Sequence, residues 1–381
     1  MHQTSHDQRL SIAVVIRHFT TTGGAEKYAV EITKRMVARG HRVHVVAREI
    51  DAGIAQGMQQ HFIPKGVSLS SAFHLYRFGK AVSKRIGQHA FDVIHAHEKG
   101  VACDVSTVHT FSYIHGFDQF SWLKKLNTLY LSPRGRLYFR LEKKQLDSLA
   151  VVAVSKVVKR DILRYFPHTN PIYTVTPGVD PSAFTPARTA AGANADESHR
   201  PEGRQRELKV LFVGSEFRRK GLDLLLKALP ENAQLIVVGK GERLTHYGRL
   251  VSTAGLKGRV FFEGLVPNIG HYYASADVLV LPSLREAFGM AALEAMAAGL
   301  PVIVSAATGV ADLIDHGHNG LVFHGALELK SMLMRLCDPQ LRNQLGANAR
   351  HTAMAHTWDR SADAYESIYR DTLEKKRRMQ A

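Results

Sequence analysis

The chain has 381 residues, of which 45% are apolar and 22% charged, a composition typical of a globular protein with room for about two domains. Its apolar runs are only of strand length, which excludes a membrane-spanning helix, and two distant cysteines exclude a disulfide framework or a paired-cysteine metal site. The formal charge of +16 favours anionic partners such as nucleic acid, an anionic membrane surface or phosphorylated substrates, and composition alone does not choose among them.

Strands and helices alternate through the first half of the sequence. An apolar run at 10–19 is followed by Thr-Thr-Gly-Gly, a helical pattern that stops at Gly40, and a second strand at 41–48. This order predicts a βαβ unit with a parallel sheet. Further strands are predicted at 91–97, 104–110 and 149–155. Ser155 is expected to cap a helix over 155–166.

The pattern breaks after residue 170 and then restarts. Turn formers and a polar tract without periodicity follow, and a second series of strands is predicted at 208–215, 234–241, 259–264, 277–283 and 301–305. The sequence thus predicts an α/β protein with two doubly wound Rossmann-like domains facing each other across a cleft. Its predicted parts are an N-terminal acceptor-side domain at 1–170, a hinge and mobile loop at 171–207, a nucleotide-sugar-binding domain at 208–355, and a C-terminal helix at 356–381 that packs back on the first domain. Parallel sheets bind ligands at the carboxyl ends of their strands, so the site is expected there.

Glu286 and Glu294 lie eight residues apart in the stretch 285-REAFGMAALEAMAAGLPVIVS-305. If a helix runs from about Phe288 to Ala298, its opening backbone N–H groups are unpaired donors suited to an oxygen ligand. These donors belong to Phe288, Gly289 and Met290. A fully helical span would separate the glutamates by about 12 Å, more than the ~5–9.5 Å of glycosidase carboxylate pairs. The spacing favours a ligand the length of a nucleotide-sugar, and the alternative is one capping glutamate and one solvated glutamate.

The stretch E-A-F-G-M-A-A-L-E resembles the E-x7-E signature of the retaining glycosyltransferases of family four, which have the GT-B fold. The segments GGAE, IHAHE, STVHT, TPGVD and a Lys-Gly helix start extend the resemblance over nearly the whole chain. The resemblance implies that Glu286 contacts the donor sugar and that Glu294 contacts the ribose. It also implies a nucleotide-sugar donor and retention by same-face attack, in which the leaving phosphate oxygen helps to deprotonate the acceptor.

A basic turn opens the second domain in GSEFRRKGLDLLLKAL, residues 214–229. Arg219 and Lys220 lie where a diphosphate would bind, one as a planar fork and the other as a point charge. The family usually has an arginine directly after the glycine, where this chain has Ser215, so the sequence leaves the choice between Arg218 and Arg219 open. Lys220 matches the family pattern, and the alternative is a solvated basic turn.

Two glycines and two histidines are the candidates in the first domain. Gly23 and Gly24 follow the first strand and would allow close approach of the donor phosphates, although a glycine pair alone is weak evidence. By resemblance, His109 lies near the transferred sugar and orients donor or acceptor hydroxyls, and His97 is similarly placed. Most of the 21 histidines are expected to be surface or satisfied core residues. The predicted catalytic residues are His109, Glu286 and Lys220, and the predicted donor-binding residues are Gly23, Gly24, Arg219, Lys220, Glu286, Phe288, Gly289, Met290 and Glu294.

The sequence contains no D-x-D pair, which holds a divalent metal on the diphosphate in glycosyltransferases of the other major fold. Arg219, Lys220 and helix N-termini can neutralise the leaving diphosphate instead. We therefore expect a reaction without a metal or another cofactor.

Basic and bulky apolar residues alternate through 117–146, which suits a segment at an anionic lipid surface. The alternative is an ordinary pair of amphipathic helices with a solvated basic face. The predicted membrane or acceptor residues are Trp122, Lys124, Lys125, Arg134, Arg136 and Arg140.

Within the family, the GS-[DE]-F-x-RKG turn and the basic segment are most similar to the lipopolysaccharide core glucosyltransferases. The resemblance implies transfer of glucose from UDP-glucose to a lipopolysaccharide core or related lipid-linked glycan, by a cytoplasmic enzyme peripheral on the inner face of the membrane. A GDP-mannose-type mannosyltransferase of polysaccharide biosynthesis is an alternative, because no residue distinguishes UDP from GDP. A catalytically silent sugar-binding relative and a basic nucleic-acid-binding protein are alternatives of other classes, although the latter lacks a helix-turn-helix, finger or RNP pattern.

Overall fold

The computed structural model describes residues 9–65, 70–117, 132–167, 170–184 and 207–381. The chain forms two compact units. Unit 1 comprises Met1–Pro177 together with Trp358–Ala381, and unit 2 comprises Gly178–Thr357. Each unit is built around a parallel sheet with helices between many of its strands, as the alternating pattern predicts.

Unit 1 contains two sheets in its described residues. The strands are β1 (Ser11–Val15), β2 (His18–Phe19), β3 (Arg42–Ala47), β4 (Glu49–Ile50), β5 (Gln59–Phe62), β6 (Val93–Ala96), β7 (Val105–Val108), β8 (Ala150–Ala153) and β9 (Ile172–Thr174). The larger sheet is parallel and runs in the order β5-β3-β1-β6-β7-β8-β9, while β2 and β4 form a short separate pair. Its central strands are almost wholly buried, as expected for a parallel sheet covered on both faces.

The described residues of unit 1 that precede unit 2 in the sequence form four helices. They are α1 (Gly24–Ala38), α2 (Ser71–Ile86), α3 (Pro133–Leu146) and α4 (Lys156–Tyr165). The Oγ atom of Ser155 accepts a hydrogen bond from the Val158 N–H at 3.2 Å, which confirms the predicted cap of α4. By contrast, α1 begins after Gly23 without a side-chain cap, so the N–H groups of its first turn remain open to a ligand.

Unit 2 contains a single parallel sheet in its described residues. Its strands are β10 (Leu208–Val213), β11 (Ala233–Val238), β12 (Val260–Gly264), β13 (Val278–Leu281), β14 (Val302–Ser305) and β15 (Leu321–Phe323), and its helices are α5 (Leu222–Ala228), α6 (Leu244–Thr253), α7 (Ile269–Ser275), α8 (Met290–Ala297), α9 (Ala326–Arg335) and α10 (Pro339–Met354). The strand order is β12-β11-β10-β13-β14-β15. The order reverses between β10 and β13, and such a reversal point is where open α/β sheets bind ligands.

The last helix, α11 (Trp358–Gln380), belongs to unit 1. It packs on α1, where Arg39 forms ion pairs with Asp363 at 2.6 Å and with Glu366 at 2.9 Å. Tyr365 and Tyr369 on its inner face are fully buried. Although α11 is long, no helix in the described ranges has a stretch apolar enough to cross a bilayer.

The observed unit boundaries differ from the domain boundaries predicted from the sequence. The sequence ended the first domain at residue 170, but β9 lies beyond that point and pairs with β8 in the sheet of unit 1. The division falls between Pro177 and Gly178, inside the predicted hinge. Residues 185–206, which make up most of the predicted loop, lie outside the described residues.

Candidate active site

A glycine-bounded turn after β10 lies against the chain that leaves β13. Gly221 has a φ of 76°, and a Cβ atom at this position would lie 1.9 Å from the Pro282 carbonyl oxygen. Only glycine allows this close approach. The Leu284 N–H also donates to the Arg219 carbonyl at 3.0 Å. The basic turn is therefore fixed against the segment that carries Glu286.

Three residues predicted from the sequence meet at this point of unit 2. The Oε2 atom of Glu286 lies 2.6 Å from Lys220 Nζ and 3.0 Å from Arg219 Nη1. The side chains of Glu286 and Lys220 are each only 15% exposed. A partly buried carboxylate with two cations is a preorganised set of charges, since the low-dielectric surroundings screen it less than water would.

The structure selects Arg219 over Arg218 as the arginine of this cluster. The Glu216 carboxylate accepts two parallel hydrogen bonds from Arg219, one from Nε at 2.8 Å and one from Nη2 at 3.0 Å. These bonds lower the pKa of Glu216 and raise the pKa of Arg219. Arg218 is exposed. Sequence reasoning missed Glu216, although its position three residues before Arg219 is a recognisable ion-pair spacing.

The chain around Glu286 is extended, not helical. The Glu286 N–H donates to the Ala307 carbonyl at 3.1 Å, and the Gly309 N–H donates to the Glu286 carbonyl at 3.1 Å. The 12 Å separation of the two glutamates assumed a helix over the whole span, so that assumption was wrong. Glu286 is instead held by the segment that follows β14.

Helix α8 begins at Met290, two residues later than predicted. Gly289 precedes it with a φ of 110°, a left-handed conformation that cannot continue a helix backwards. Phe288 lies in the core, with 4% exposure, and its carbonyl accepts from the Val310 N–H at 2.8 Å. Within the described ranges, the backbone N–H groups of Phe288, Gly289 and Met290 have no hydrogen-bond acceptor. Their binding to an oxygen ligand stays a prediction of the sequence.

Glu294 lies on α8, where Tyr273 of α7 fixes it. The Tyr273 hydroxyl donates to Glu294 Oε2 at 3.0 Å. Burial of Tyr273, together with the nearby Glu294 carboxylate, raises the pKa of this hydroxyl well above its usual value. Tyr273 therefore remains a neutral donor, and it is a site residue that sequence reasoning missed.

The glycine pair of unit 1 lies at the start of α1. Gly23 has an extended conformation with a φ of −122°, so its backbone does not require glycine. A Cβ atom on Gly24 would meet no other atom within 4 Å. The space beside Gly24 is therefore open, which leaves room for a ligand near the uncapped first turn of α1.

His109 lies directly after β7 and contacts His97, which directly follows β6. His97 Nδ1 lies 2.9 Å from His109 Nε2, and the two rings stack with centroids 5.2 Å apart. The ring of Tyr28 meets His109 edge-on at 5.1 Å. Burial lowers the pKa of His109 to about 3, and burial together with the neighbouring histidines lowers the pKa of His97 well below its usual value.

A buried hydrogen-bond network lies behind these two histidines. His95 is bonded through Nδ1 to the Tyr369 hydroxyl and through Nε2 to the Thr107 hydroxyl, each at 2.7 Å. The Thr107 hydroxyl is bonded in turn to the Tyr365 hydroxyl at 2.6 Å. Burial lowers the pKa of His95 to about 3. The network joins α11 to the central strands, and only the i, i+4 spacing of the two tyrosines indicates it at the level of sequence.

Glu142 of α3 holds the loops that follow both histidines. Its buried carboxylate accepts from Lys99 Nζ at 2.7 Å, from the Ser112 hydroxyl at 3.1 Å and from the Tyr113 N–H at 3.1 Å. The Ser112 N–H also donates to Asp161 at 2.6 Å. The loops after β6 and β7 are thus fixed by carboxylates that sequence reasoning did not identify.

The predicted membrane or acceptor residues fall in two groups. Trp122, Lys124 and Lys125 lie outside the described residues, while Arg134, Arg136 and Arg140 are exposed on α3. Helix α2 packs beside α3, and the Tyr138 hydroxyl donates to the Ser71 hydroxyl at 2.6 Å. Further exposed basic residues on these two helices are Arg77, Lys80, Lys84, Arg85, Lys143 and Lys144. Their one acidic residue, Glu142, is buried, so both helices expose positive charge alone.

Potential metal ligands do not gather in groups of three or more His, Cys, Asp or Glu side chains in the part of the chain that the structure describes. The charged clusters that do occur pair carboxylates with Lys and Arg.

Two family profiles match the chain over different segments. The profile described as "Glycosyltransferase Family 4" matches residues 22–183, and the profile described as "Glycosyl transferases group 1" matches residues 194–352. Among sequence relatives, the chain is 29% identical to an uncharacterised glycosyltransferase of Methanocaldococcus jannaschii over 62% of this chain and 63% of the relative. It is 26% identical to the D-inositol 3-phosphate glycosyltransferase of Thermobifida fusca, over 92% of this chain and 89% of the relative.

Solved structures share the fold. WaaG, a glycosyltransferase involved in lipopolysaccharide biosynthesis, superimposes with a TM-score of 0.76 and 23% identity over 93% of this chain and 99% of WaaG. HepE of Anabaena, solved in complex with UDP-glucose, has a TM-score of 0.71 and 18% identity over 96% of this chain and 100% of HepE. These similarities show the two-domain GT-B fold that the sequence predicts.

Proposed function

We propose that this chain, a hexosyltransferase with the GT-B fold, belongs to the group 1 and family 4 glycosyltransferases and transfers glucose from UDP-glucose to a lipopolysaccharide core or related lipid-linked glycan. The observation that carries the proposal is the convergence of Lys220 and Arg219 on Glu286 in unit 2. Cations for a diphosphate beside a carboxylate for sugar hydroxyls are the two groups that a nucleotide-sugar site requires.

Lys220 is the better candidate for direct contact with the diphosphate. Four of the five N–H groups of Arg219 are engaged, two with Glu216, one with the Arg285 carbonyl and one with Glu286. Lys220 pairs with Glu286 through one of its three donors. We therefore assign Lys220 to the diphosphate, and Arg219 to holding Glu286 while adding positive charge.

The donor's sugars are assigned to the two glutamates. Glu286 accepts hydrogen bonds from hexose hydroxyls, and the free N–H groups of Gly289 and Met290 face oxygen atoms of the donor. Glu294 accepts from the ribose hydroxyls, with its carboxylate oriented by Tyr273. In unit 1, Gly24 has open space beside it and remains the candidate for close approach of phosphates, whereas the Glu26 carboxylate lies beside Gly23.

The proposed reaction retains configuration and uses no metal. The bond between the anomeric carbon and the phosphate oxygen breaks, and an acceptor hydroxyl oxygen bonds to that carbon on the same face. The hydroxyl proton passes to the leaving phosphate oxygen, so no protein base is needed. Lys220, Arg219 and the start of α8 stabilise the charge that develops on the leaving diphosphate, which is the role a metal would otherwise fill.

The choice of UDP-glucose and of a lipopolysaccharide acceptor is supported by two structural neighbours. HepE was solved with UDP-glucose, and WaaG acts in lipopolysaccharide biosynthesis. The Thermobifida relative is named for a phosphorylated acceptor, D-inositol 3-phosphate, so a phosphorylated acceptor is the second candidate. A GDP-mannose donor remains the alternative for the nucleotide-sugar.

An anionic membrane surface is the proposed location of the acceptor. The exposed faces of α2 and α3 carry basic residues without exposed acidic ones. Each Lys or Arg near an anionic surface contributes about 1 kcal/mol of attraction. We propose that this face holds the enzyme peripherally at the inner face of the membrane, where lipid-linked acceptors are found.

A donor screen by titration calorimetry tests the function. We expect UDP-glucose to bind more tightly than GDP-mannose, and we expect EDTA to leave the affinity unchanged. A transfer assay with the preferred donor should release UDP and form an α-linked product. Tighter binding of GDP-mannose, or a product of inverted configuration, would contradict the proposal.

Vesicle sedimentation tests the membrane face. Reversing Arg136 and Arg140 to Glu should weaken binding to vesicles that contain phosphatidylglycerol by roughly 10-fold or more. The matched control reverses Arg377 and Arg378, which are exposed at the end of α11, and should change binding little. Equal losses in both variants would show that net charge, and not this face, determines binding.

A further inference from the structure

One ring nitrogen beside His109 has no partner. His97 is 8% exposed, and its Nε2 atom has no hydrogen-bond partner within the described residues. Its other nitrogen, Nδ1, lies 2.9 Å from His109 Nε2. The neighbouring His95 ring cannot serve His97 Nε2, because its own nitrogens are bonded to Tyr369 and Thr107. His97 thus makes a single side-chain hydrogen bond, to His109.

Both rings are neutral at neutral pH. Burial lowers the pKa of His109 to about 3, and burial together with the neighbouring histidines lowers the pKa of His97 well below its usual value. Each neutral ring carries one proton, and the hydrogen bond between them contains one of these two protons. The position of the second proton then depends on which ring is the donor.

The unpartnered nitrogen decides between the two arrangements. If His109 donated from Nε2, His97 would have to carry its own proton on Nε2, as a buried N–H without an acceptor. If His97 donates from Nδ1, its Nε2 is a bare acceptor and His109 carries its proton on Nδ1. Buried donors without acceptors are rarer in proteins than buried acceptors without donors. The second arrangement is therefore favoured.

We propose that His97 is a positioning residue that holds His109 in the tautomer protonated on Nδ1, so that His109 acts as a hydrogen-bond donor and not as a general base. The Nε2 lone pair of His109 is occupied by His97, and its Nδ1 carries a proton, so neither nitrogen is free to accept one. This role rests on the proposed function and adds to it that the His109 Nδ1–H donates to a sugar hydroxyl.

The tautomer is measured directly by NMR on the full-length protein labelled with ¹⁵N-histidine. Two-bond nitrogen–proton correlations at about pH 7.5, above the lowered pKa values, distinguish a proton on Nδ1 from one on Nε2. The His109 signals are assigned by their loss in His109→Gln. We expect the proton of His109 on Nδ1. A proton on Nε2 would overturn the proposal without any variant of His97 being needed.

Two substitutions of His97 then test positioning. His97→Leu removes the hydrogen bond, so His109 should become a mixture of tautomers and kcat should fall roughly 10- to 100-fold, with KM for UDP-glucose changed less than about 3-fold. His97→Asn offers an amide N–H near the position of Nδ1 and should restore the tautomer and most of kcat. An unchanged His109 tautomer in His97→Leu would overturn the positioning role of His97. If His97→Leu fails to fold, the role would be overturned by a folded His97→Asn in which His109 no longer carries its proton on Nδ1. Absence of glucose transfer alongside the expected tautomer would count against the proposed function and not against the arrangement of the two rings.

Discussion

Both candidate clusters lie at carboxyl ends of parallel strands, but one consists of paired charges and the other of neutral rings. In unit 2, Lys220, Arg219 and Glu286 lie after β10 and β13, and all three are held as paired charges. In unit 1, His97 and His109 lie after β6 and β7, and burial keeps both of them neutral. Parallel sheets place ligands at these strand ends. The strand ends therefore hold paired charges in one unit and neutral histidine rings in the other.

The difference follows from what surrounds each cluster. The cations of unit 2 lie in a turn where they remain 15% and 33% exposed, so water and neighbouring carboxylates support their charge. The rings of His97 and His109 both meet the ring of Tyr28, and His97 also packs against His95, which contacts Tyr365 of α11. An imidazolium there would lose its hydration without gaining an anion, so the neutral form is favoured. Removing a charge should therefore disrupt the cluster of unit 2, and protonating the buried rings should disrupt the cluster of unit 1.

The largest effect is expected from removing a charge in unit 2. Lys220→Ala should lower kcat/KM by about 10²- to 10³-fold, because it removes the cation assigned to the leaving diphosphate. Lys227→Ala, on the exposed face of α5, is the matched control and should retain nearly full activity. Steady-state kinetics with UDP-glucose check both variants. Comparable activities of the two would remove Lys220 from the site.

A smaller effect is expected from the neighbouring arginine. Arg219→Ala should lower kcat/KM by roughly 10- to 100-fold, because Glu286 loses one of its two charged donors. Arg218→Ala is the matched control, because it removes an exposed arginine one position earlier. Its kcat/KM should stay within about 3-fold of that of the parent enzyme. The reverse ranking would show that the wrong arginine has been assigned.

Acid should weaken unit 1 more than unit 2. The folded-state pKa of His95 and of His109 is about 3, below the ordinary value of 6.5. Between these values the unfolded chain binds protons that the folded chain does not, so stability is fully present above pH 6.5 and falls as the pH drops towards 3. Hydrogen exchange at pH 7.5 and pH 5, corrected for intrinsic rates, should show more loss of protection in β6 and β7 than in β13. A larger loss in β13 would contradict the comparison.

The smallest effect concerns Tyr273, a neutral donor elsewhere in unit 2. Tyr273→Phe removes the hydrogen bond to Glu294 and should raise KM for UDP-glucose a few-fold and lower the free energy of unfolding by about 1 kcal/mol. Tyr272→Phe is the control, because that hydroxyl donates to the exposed Glu263 instead. Both variants are compared by kinetics and by urea unfolding. Equal KM values for the two would show that Glu294 does not depend on Tyr273.

Sequence reasoning reached the charged cluster more easily than the neutral one. Glu286 and Lys220 stand in local motifs, and the alternation of strands and helices predicted both sheets. The choice between Arg218 and Arg219 needed the structure, because neighbouring residues in a turn point in different directions. The start of α8 was missed because the left-handed conformation of Gly289 comes from its packing against β13 and the segment after β14.

The neutral cluster depends on contacts between distant parts of the chain. His95 is bonded to Tyr369, 274 positions away, and Thr107 is bonded to Tyr365, 258 positions away. The tyrosines of α11 look like ordinary core residues in a single sequence, since their hydroxyls find partners only once the helix has returned to unit 1. The role of the buried Glu142 carboxylate was equally hidden, because the other charged residues of α3 are all positive.

The central claim is that Glu286 recognises the sugar of the donor while Lys220 recognises the diphosphate. Calorimetric titration of Glu286→Gln with UDP-glucose and with UDP tests it most directly. UDP-glucose should bind roughly 10- to 100-fold more weakly than to the parent enzyme. UDP should bind equally well or more tightly, because Lys220 and Arg219 lose a competing anion. An equal loss of affinity for both ligands would contradict the account.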